Sequence, residues 1–309
     1  MFMKRAVNCG LVKADNMKQA ILLLSFGTPR QPSDLLPYLT SIRCGKIPTE
    51  RELKVLTARY DAIGQWDNKL LQTMGEEQKK TLKSLLAIDA MYLAYLHMPN
   101  SMEQAIESIA AAGYTSVLCI VTSPFYSMVG TGAYERKLHS ILRAYPDISC
   151  EIIKSWWNRP QFFEYWRSQL MAANPLQADT ACIFSAHSVP TSTVGSYEDE
   201  VMSASNQIAK MVGLNHWYQA WQSAAPHGEW LGPTIESVIE QALIDGAKRI
   251  VCIPFGFVSN HVEILYDNDI ICRNIVENAG ATYERLPMPN GNTLFMEAMA
   301  KAIRERINK

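Results

Sequence analysis

Short apolar runs, several of them rich in Val, Ile and Leu, recur along the chain, separated by stretches long enough to be helices. Apolar runs of strand length that do not alternate with polar residues belong to strands buried on both faces. Those are the strands of a parallel sheet covered by helices. The runs at 20–25, 90–95, 116–122 and 150–154 form one set, and those at 181–186, 217–221, 249–254 and 281–285 a second. Helical patterns are expected at 34–43, 50–63, 70–86, 102–112, 133–144, 161–173, 197–212, 233–245, 260–279 and 293–307. Two sets of four strands predict two similar doubly wound α/β domains, each a four-stranded parallel sheet flanked by helices. The boundary is expected near 156–160, giving domains over 16–157 and 158–290. A last helix over 291–309 is expected to pack back on the first domain.

The bulk composition excludes several classes. With 309 residues, 48% hydrophobic and 19% charged, the chain is an ordinary globule rather than a disordered segment. A net charge of −1 offers no general attraction for nucleic acid or an anionic membrane. The seven cysteines are scattered without Cys-x-x-Cys spacing, and those at 119, 182 and 252 fall inside apolar runs, as small core residues do. A reducing cytoplasmic setting is expected. No apolar run is long enough to span a bilayer, and the apolar patch in residues 1–18 is too broken for a signal peptide. Stable membrane insertion is therefore not expected.

In open parallel sheets ligands bind beyond the carboxyl ends of the strands. The segments to inspect are Phe26-Gly-Thr-Pro29, Ser123-Pro-Phe125, His187-Ser-Val-Pro190, Gln222-Ser223 and Phe255-Gly-Phe257. None carries the glycine pattern of a dinucleotide fold or a phosphate-binding lysine loop, which disfavours nucleotides. His187 reads either as a strand-end side chain bonded to backbone or as a base or metal ligand, since imidazole titrates near neutrality. Glu263 and Asp267 are spaced to share one helix face, either as a solvated acidic face or as partly buried acids able to accept protons. Aromatic residues gather at strand ends and loops, as core or as the walls of a flat apolar ligand. Arg43, Lys46 and Arg59 are solvated charges singly, and together they suit ligand carboxylates.

From about residue 21 to 295 the chain resembles the ferrochelatases. Ser185-Ala-His-Ser-Val-Pro190 and the stretch from Gly256 to Asp269 are the specific matches. Weaker ones occur in family order at Phe26–Pro29, Ile42–Gly45, Arg59–Gly64, Trp221–Ser223, Trp230–Pro233 and Met288–Asn290. The resemblance implies two Rossmann-like, chelatase-type domains and insertion of Fe²⁺ into a porphyrin held in a cleft between them. It places His187 and Glu263 at the centre of catalysis and metal handling, with Asp267 extending the acidic line. It places Phe26, Thr28, Arg43, Lys46, Arg59, Tyr60, Tyr126, Ser127, Tyr197 and Trp230 around the porphyrin. Fe²⁺ and porphyrin are then substrates, no tightly bound cofactor is implied, and a monomer is expected.

The ending Tyr266-Asp-Asn-Asp269 is most similar to the Gram-positive group, whose usual substrate is coproporphyrin III. Protoporphyrin IX is the alternative. More distant readings are a cobalt or nickel tetrapyrrole chelatase and a non-catalytic porphyrin or haem carrier. The chain departs from that group at several points. Phe26 replaces a tyrosine able to ligate iron, and Gly64–Lys69 replaces a porphyrin-contacting loop. Asp67 there opposes a propionate, while Lys69 and Arg43 are candidates to offset it. Ile271 replaces an acid that continues the line beyond Asp267, and Ala224-Ala225 replaces a charged or glycine-containing loop.

Overall fold

A computed structural model describes residues 18–66, 70–225 and 227–308. Eight strands build two sheets: β1 (Gln19–Ser25), β2 (Met91–Tyr95), β3 (Ser116–Val121) and β4 (Ser149–Ile153), then β5 (Thr180–His187), β6 (Trp217–Gln222), β7 (Arg249–Ile253) and β8 (Thr282–Arg285). Every pairing is parallel, and both sheets share one topology, β2-β1-β3-β4 and β6-β5-β7-β8. In each, the chain leaves the first strand toward one side and returns on the other. The switch points therefore lie between β1 and β3 and between β5 and β7. Parallel α/β sheets open a crevice at such points.

The helices are α1 (Leu35–Ile42), α2 (Glu50–Ala62), α3 (Leu70–Leu86), α4 (Ser101–Ala111) and α5 (Thr131–Leu142), followed by α6 (Pro160–Ala172), α7 (Tyr197–Val212), α8 (Ile235–Ile244), α9 (Arg273–Asn278) and α10 (Thr293–Ile307). The expected helix at 260–279 differs from expectation. It is wound as a π-helix from Glu263 to Cys272 before α9 continues it. In this wide segment three consecutive polar residues each meet a different partner. Ser223 donates to Asp267 (2.9 Å), Asn268 donates to Gln222 (3.2 Å), and Arg285 grips Asp269 through both carboxylate oxygens (2.6 and 2.8 Å). Buried polar groups must be hydrogen-bonded, and the local winding follows partners supplied by β6 and β8.

One continuous core joins the inner faces of the two sheets. Ile21, Leu23 and Ile120 of the first belong to the same buried cluster as Cys182, Phe184 and Ile253 of the second. Helix α10 closes this layer with an apolar stripe of Phe295, Met296, Met299 and Ile303. It is tied to α3 by Arg304 donating to the Leu85 carbonyl (2.9 Å) and to the start of α6 by the Arg159–Glu305 pair (2.6 Å). Each sheet's outer face has its own cluster, with α4 and α5 on one and α8 on the other. Among the described residues no helix is long and apolar enough to cross a membrane.

Gly256 shows how tightly the second switch point is closed. A β-carbon there would lie 2.5 Å from the Ala186 β-carbon, so only glycine lets the end of β7 meet the end of β5. Gly256→Ala is expected to lower stability by about 2 kcal/mol, as overpacking does. An unchanged midpoint in chemical denaturation would show that the two strand ends can part freely.

Candidate active site

Strand β5 ends on His187, and Gly256 turns the chain after β7 so that Phe257 and then Glu263 face it. His187 Nε2 lies 3.5 Å from Glu263 Oε1, and the Phe257 ring centroid is 6.2 Å from the imidazole. The imidazole is fixed from behind. Its Nδ1 bonds the Ser188 carbonyl (2.5 Å), and the Tyr197 hydroxyl donates to the His187 carbonyl (2.9 Å). With Nδ1 engaged by backbone, Nε2 is the nitrogen turned to the carboxylate.

The two groups hold each other charged. Burial pushes the His187 imidazole down, but Glu263 and the Ser188 carbonyl outweigh it, and its pKa stands raised to about 9. Burial pushes the Glu263 carboxyl up, and His187, His261 and Arg59 bring it down to about 2. At neutral pH the pair rests as imidazolium and carboxylate. His261 adds a third ring: its Nδ1 is 3.8 Å from Glu263 and its ring centroid 4.8 Å from that of Phe257. Burial lowers its pKa to about 4, so it is neutral beside the charged pair.

Asp267 lies further along the π-helix and is 7% exposed. Burial raises its carboxyl, partly opposed by Arg59 and helped by Glu263, to about 6. Arg59 reaches it from α2, across the cleft, at 3.4 Å, and its guanidinium lies 5.1 Å from the Tyr266 ring centroid. Ser223, which bonds the other Asp267 oxygen, has φ +60, a left-handed conformation costly for a non-glycine residue and typical of functional sites.

The remaining residues expected around a porphyrin are placed differently from one another. Phe26 is 46% exposed at the end of β1, with its ring against His97 and Tyr38. Tyr60 is 1% exposed and forms a buried group with Tyr38 and Thr28 behind that surface. Arg43 pairs with Glu52, the acid that closes the Thr49 capping box of α2, so it is already engaged. Lys46 is exposed after α1. Tyr126 lies under the Lys154 ammonium (5.6 Å), and Ser127 accepts from the Gly130 backbone N–H (2.9 Å). Trp230 donates to the His227 carbonyl (2.9 Å) and bridges to Pro190, three residues past His187. Asp67 and Lys69 lie outside the described residues. The geometry therefore joins His187, Glu263, Asp267, Arg59 and Tyr197. It joins neither Arg43 nor Ser127 to them.

Gln222 and Ser223 lie in a segment singled out at a strand end, and Ser185 and Asn268 in the family-like stretches, but none had a role assigned, and Tyr38 within α1 carried no signal. Ser185 donates to Gln222 (2.9 Å) directly behind the strand end that presents His187.

Among the described residues no group of three or more histidine, cysteine or acidic side chains gathers as a closed metal cage. Around Glu263 stand two imidazoles, His187 at 3.5 Å and His261 at 3.8 Å, a mixed nitrogen and oxygen set of the kind divalent transition metals accept.

The ferrochelatase family model matches residues 18–307. The chain belongs to the ferrochelatase family. It is 33% identical over 302 residues to the coproporphyrin III ferrochelatase of Geobacillus kaustophilus, covering 93% of this chain and 95% of that one. The coproporphyrin III ferrochelatase of Staphylococcus aureus is 31% identical, with 93% and 98% covered. Among solved structures, SirB from Bacillus subtilis with Fe³⁺ superposes with a TM-score of 0.61 at 13% identity, covering 94% of this chain and 95% of that one. The sirohydrochlorin chelatase SirB in complex with cobalt superposes with a TM-score of 0.59 at 10% identity, with the same coverage. These two share the fold.

The raised His187 pKa sets a sign for metal binding. A ligating imidazole must be neutral, so below about pH 9 an incoming ion displaces a proton. Apparent Zn²⁺ affinity is expected to rise roughly tenfold per pH unit through neutrality and to level off above about pH 9. A pH-independent affinity in calorimetric titrations would contradict displacement of that proton.

Proposed function

We infer that the protein inserts Fe²⁺ into coproporphyrin III, with His187 and Glu263 acting at the centre of the macrocycle. The observation that carries this reading is the 3.5 Å imidazole–carboxylate pair at the β5/β7 switch point of a ferrochelatase-family chain. Metal insertion exchanges two pyrrole N–H protons for one divalent ion. The site must therefore take up protons and hold a cation weakly at one place.

Glu263 supplies a carboxylate that stays ionised at neutral pH and can accept a pyrrole proton. Asp267, with a pKa near 6, is poised to receive a proton and release it toward solvent. His187, once neutral, offers Nε2 to the metal. The fixed Nδ1 and the Tyr197 hydroxyl keep that nitrogen aimed while the carboxylate changes charge. Fe²⁺ is substrate throughout, and the reading calls for no resident cofactor and no partner beyond porphyrin and metal.

Coproporphyrin III is favoured over protoporphyrin IX because the relatives matched along nearly the whole chain bear that substrate in their names.

The test is an anaerobic assay with Fe²⁺ and each porphyrin, following loss of free-porphyrin fluorescence. Turnover of coproporphyrin III is expected to exceed that of protoporphyrin IX, and the reverse order would replace the substrate. Tight porphyrin binding without turnover would favour a carrier. His187→Ala is expected to lower insertion by at least about 100-fold, the scale of a lost acid–base group, with the circular dichroism spectrum unchanged. Normal turnover in that variant would remove His187 from the mechanism.

A further inference from the structure

The insertion chemistry uses none of the cysteines, yet two of them touch. Cys119 on β3 and Cys150 on β4 place their sulfur atoms 3.7 Å apart. In the β3–β4 register Cys119 faces Ile152 and Cys150 faces Val117, so the thiols meet diagonally on the same face of the sheet. Cys119 is fully buried, whereas Cys150 is partly exposed on the edge strand. The other described cysteines differ. Cys44 is exposed, and Cys182, Cys252 and Cys272 are buried within the second domain.

The geometry points to Cys119 and Cys150 as a modification site: a dithiol that hydroperoxide oxidises to a reversible disulfide between β3 and β4. Cys150 is the reachable sulfur. The contact between the two sulfurs draws the Cys150 thiol down, against burial and the nearby Glu135 and Glu151, while the same contact and burial push the Cys119 thiol up. The Cys150 thiolate attacks the peroxide, forming an S–O bond as the O–O bond breaks and hydroxide leaves. Cys119 then attacks the sulfenic sulfur. The S–S bond forms, the S–O bond breaks, and the oxygen departs as water with the Cys119 proton. Two thiols are oxidised by two electrons, and one peroxide is reduced to two waters.

Closure also bears on the cleft. The sulfur atoms stand 3.7 Å apart, and a disulfide requires about 2.05 Å. The edge strand shifts toward β3 as the bond closes, and a disulfide formed under tension is readily reduced. Strand β4 runs directly into Trp156 and Trp157, whose backbone N–H groups both bond the Pro124 carbonyl after β3 (3.0 and 3.2 Å). Trp157 stacks on Phe125 and donates to Glu200 of α7 (2.9 Å). A shift of β4 thus pulls on the loops at the β1/β3 switch point and on the helix that carries Tyr197.

The test is peroxide treatment of the metal-free protein followed by peptide mass mapping, with Cys44 as the exposed internal control. The expected result is a Cys119–Cys150 cross-linked peptide that dithiothreitol returns to thiols. It should be absent in Cys150→Ser and replaced in Cys119→Ser by a dimedone-reactive sulfenic acid at Cys150. After peroxide removal the oxidised protein should lose most of its Zn²⁺ insertion rate and regain it on reduction, while Cys150→Ser is unaffected. Oxidation confined to Cys44, with both strand thiols still reduced, would overturn the proposal. Because the cross-link is read by mass, its failure is distinct from any failure of the insertion chemistry.

Discussion

The contact on which the site depends is the pairing of one imidazole with one carboxylate where β5 and β7 diverge. Burial works against the charged form of each group, and the partner more than offsets it. Together they remain ionised, and this gives the site its chemistry. Removing the proton that His187 holds frees a nitrogen for a cation. Adding a proton to Glu263 dissolves the attraction that kept the imidazole charged. In the proposed reaction, proton uptake and metal release would be coupled through this single 3.5 Å gap.

The architecture serves that gap. Two sheets of identical strand order back onto one continuous core. Gly256 allows the close approach of two strand ends, and Tyr197 and Ser188 hold the imidazole. On the other wall α2 sends Arg59 across to Asp267, so each half of the chain contributes a charge. The π-helix carries Glu263 and Asp267 and is anchored at Asn268 and Asp269 by buried bonds. Its acids are therefore held by neighbours on three separate elements rather than by helical period alone.

Much of this was legible in the sequence, for definite reasons. Strands buried on both faces must be continuously apolar, so the inner strands β1, β3, β5 and β7 appeared as clear runs, while the half-exposed edge strands β2, β4, β6 and β8 left a weaker mark. His187 was visible as a titratable residue at the end of such a run and Glu263 by its helical spacing to Asp267, and the family resemblance decided between the structural and functional readings left open for each. The winding of residues 263–272 was not legible, since it follows partners at 222, 223 and 285 that no local pattern predicts. The pairing of Arg59 with Asp267 was hidden by the length of chain between them. The engagement of Arg43 left a visible trace: Thr49 and Glu52 have capping-box spacing, and that same glutamate holds Arg43.

The most direct measurement of the central claim is an anomalous difference map from crystals soaked in Zn²⁺ above pH 8. The account predicts a peak within about 2.1 Å of His187 Nε2 and of a Glu263 oxygen, with their direct contact replaced by the metal. A metal bound elsewhere, with the imidazole and carboxylate still paired as before, would contradict it.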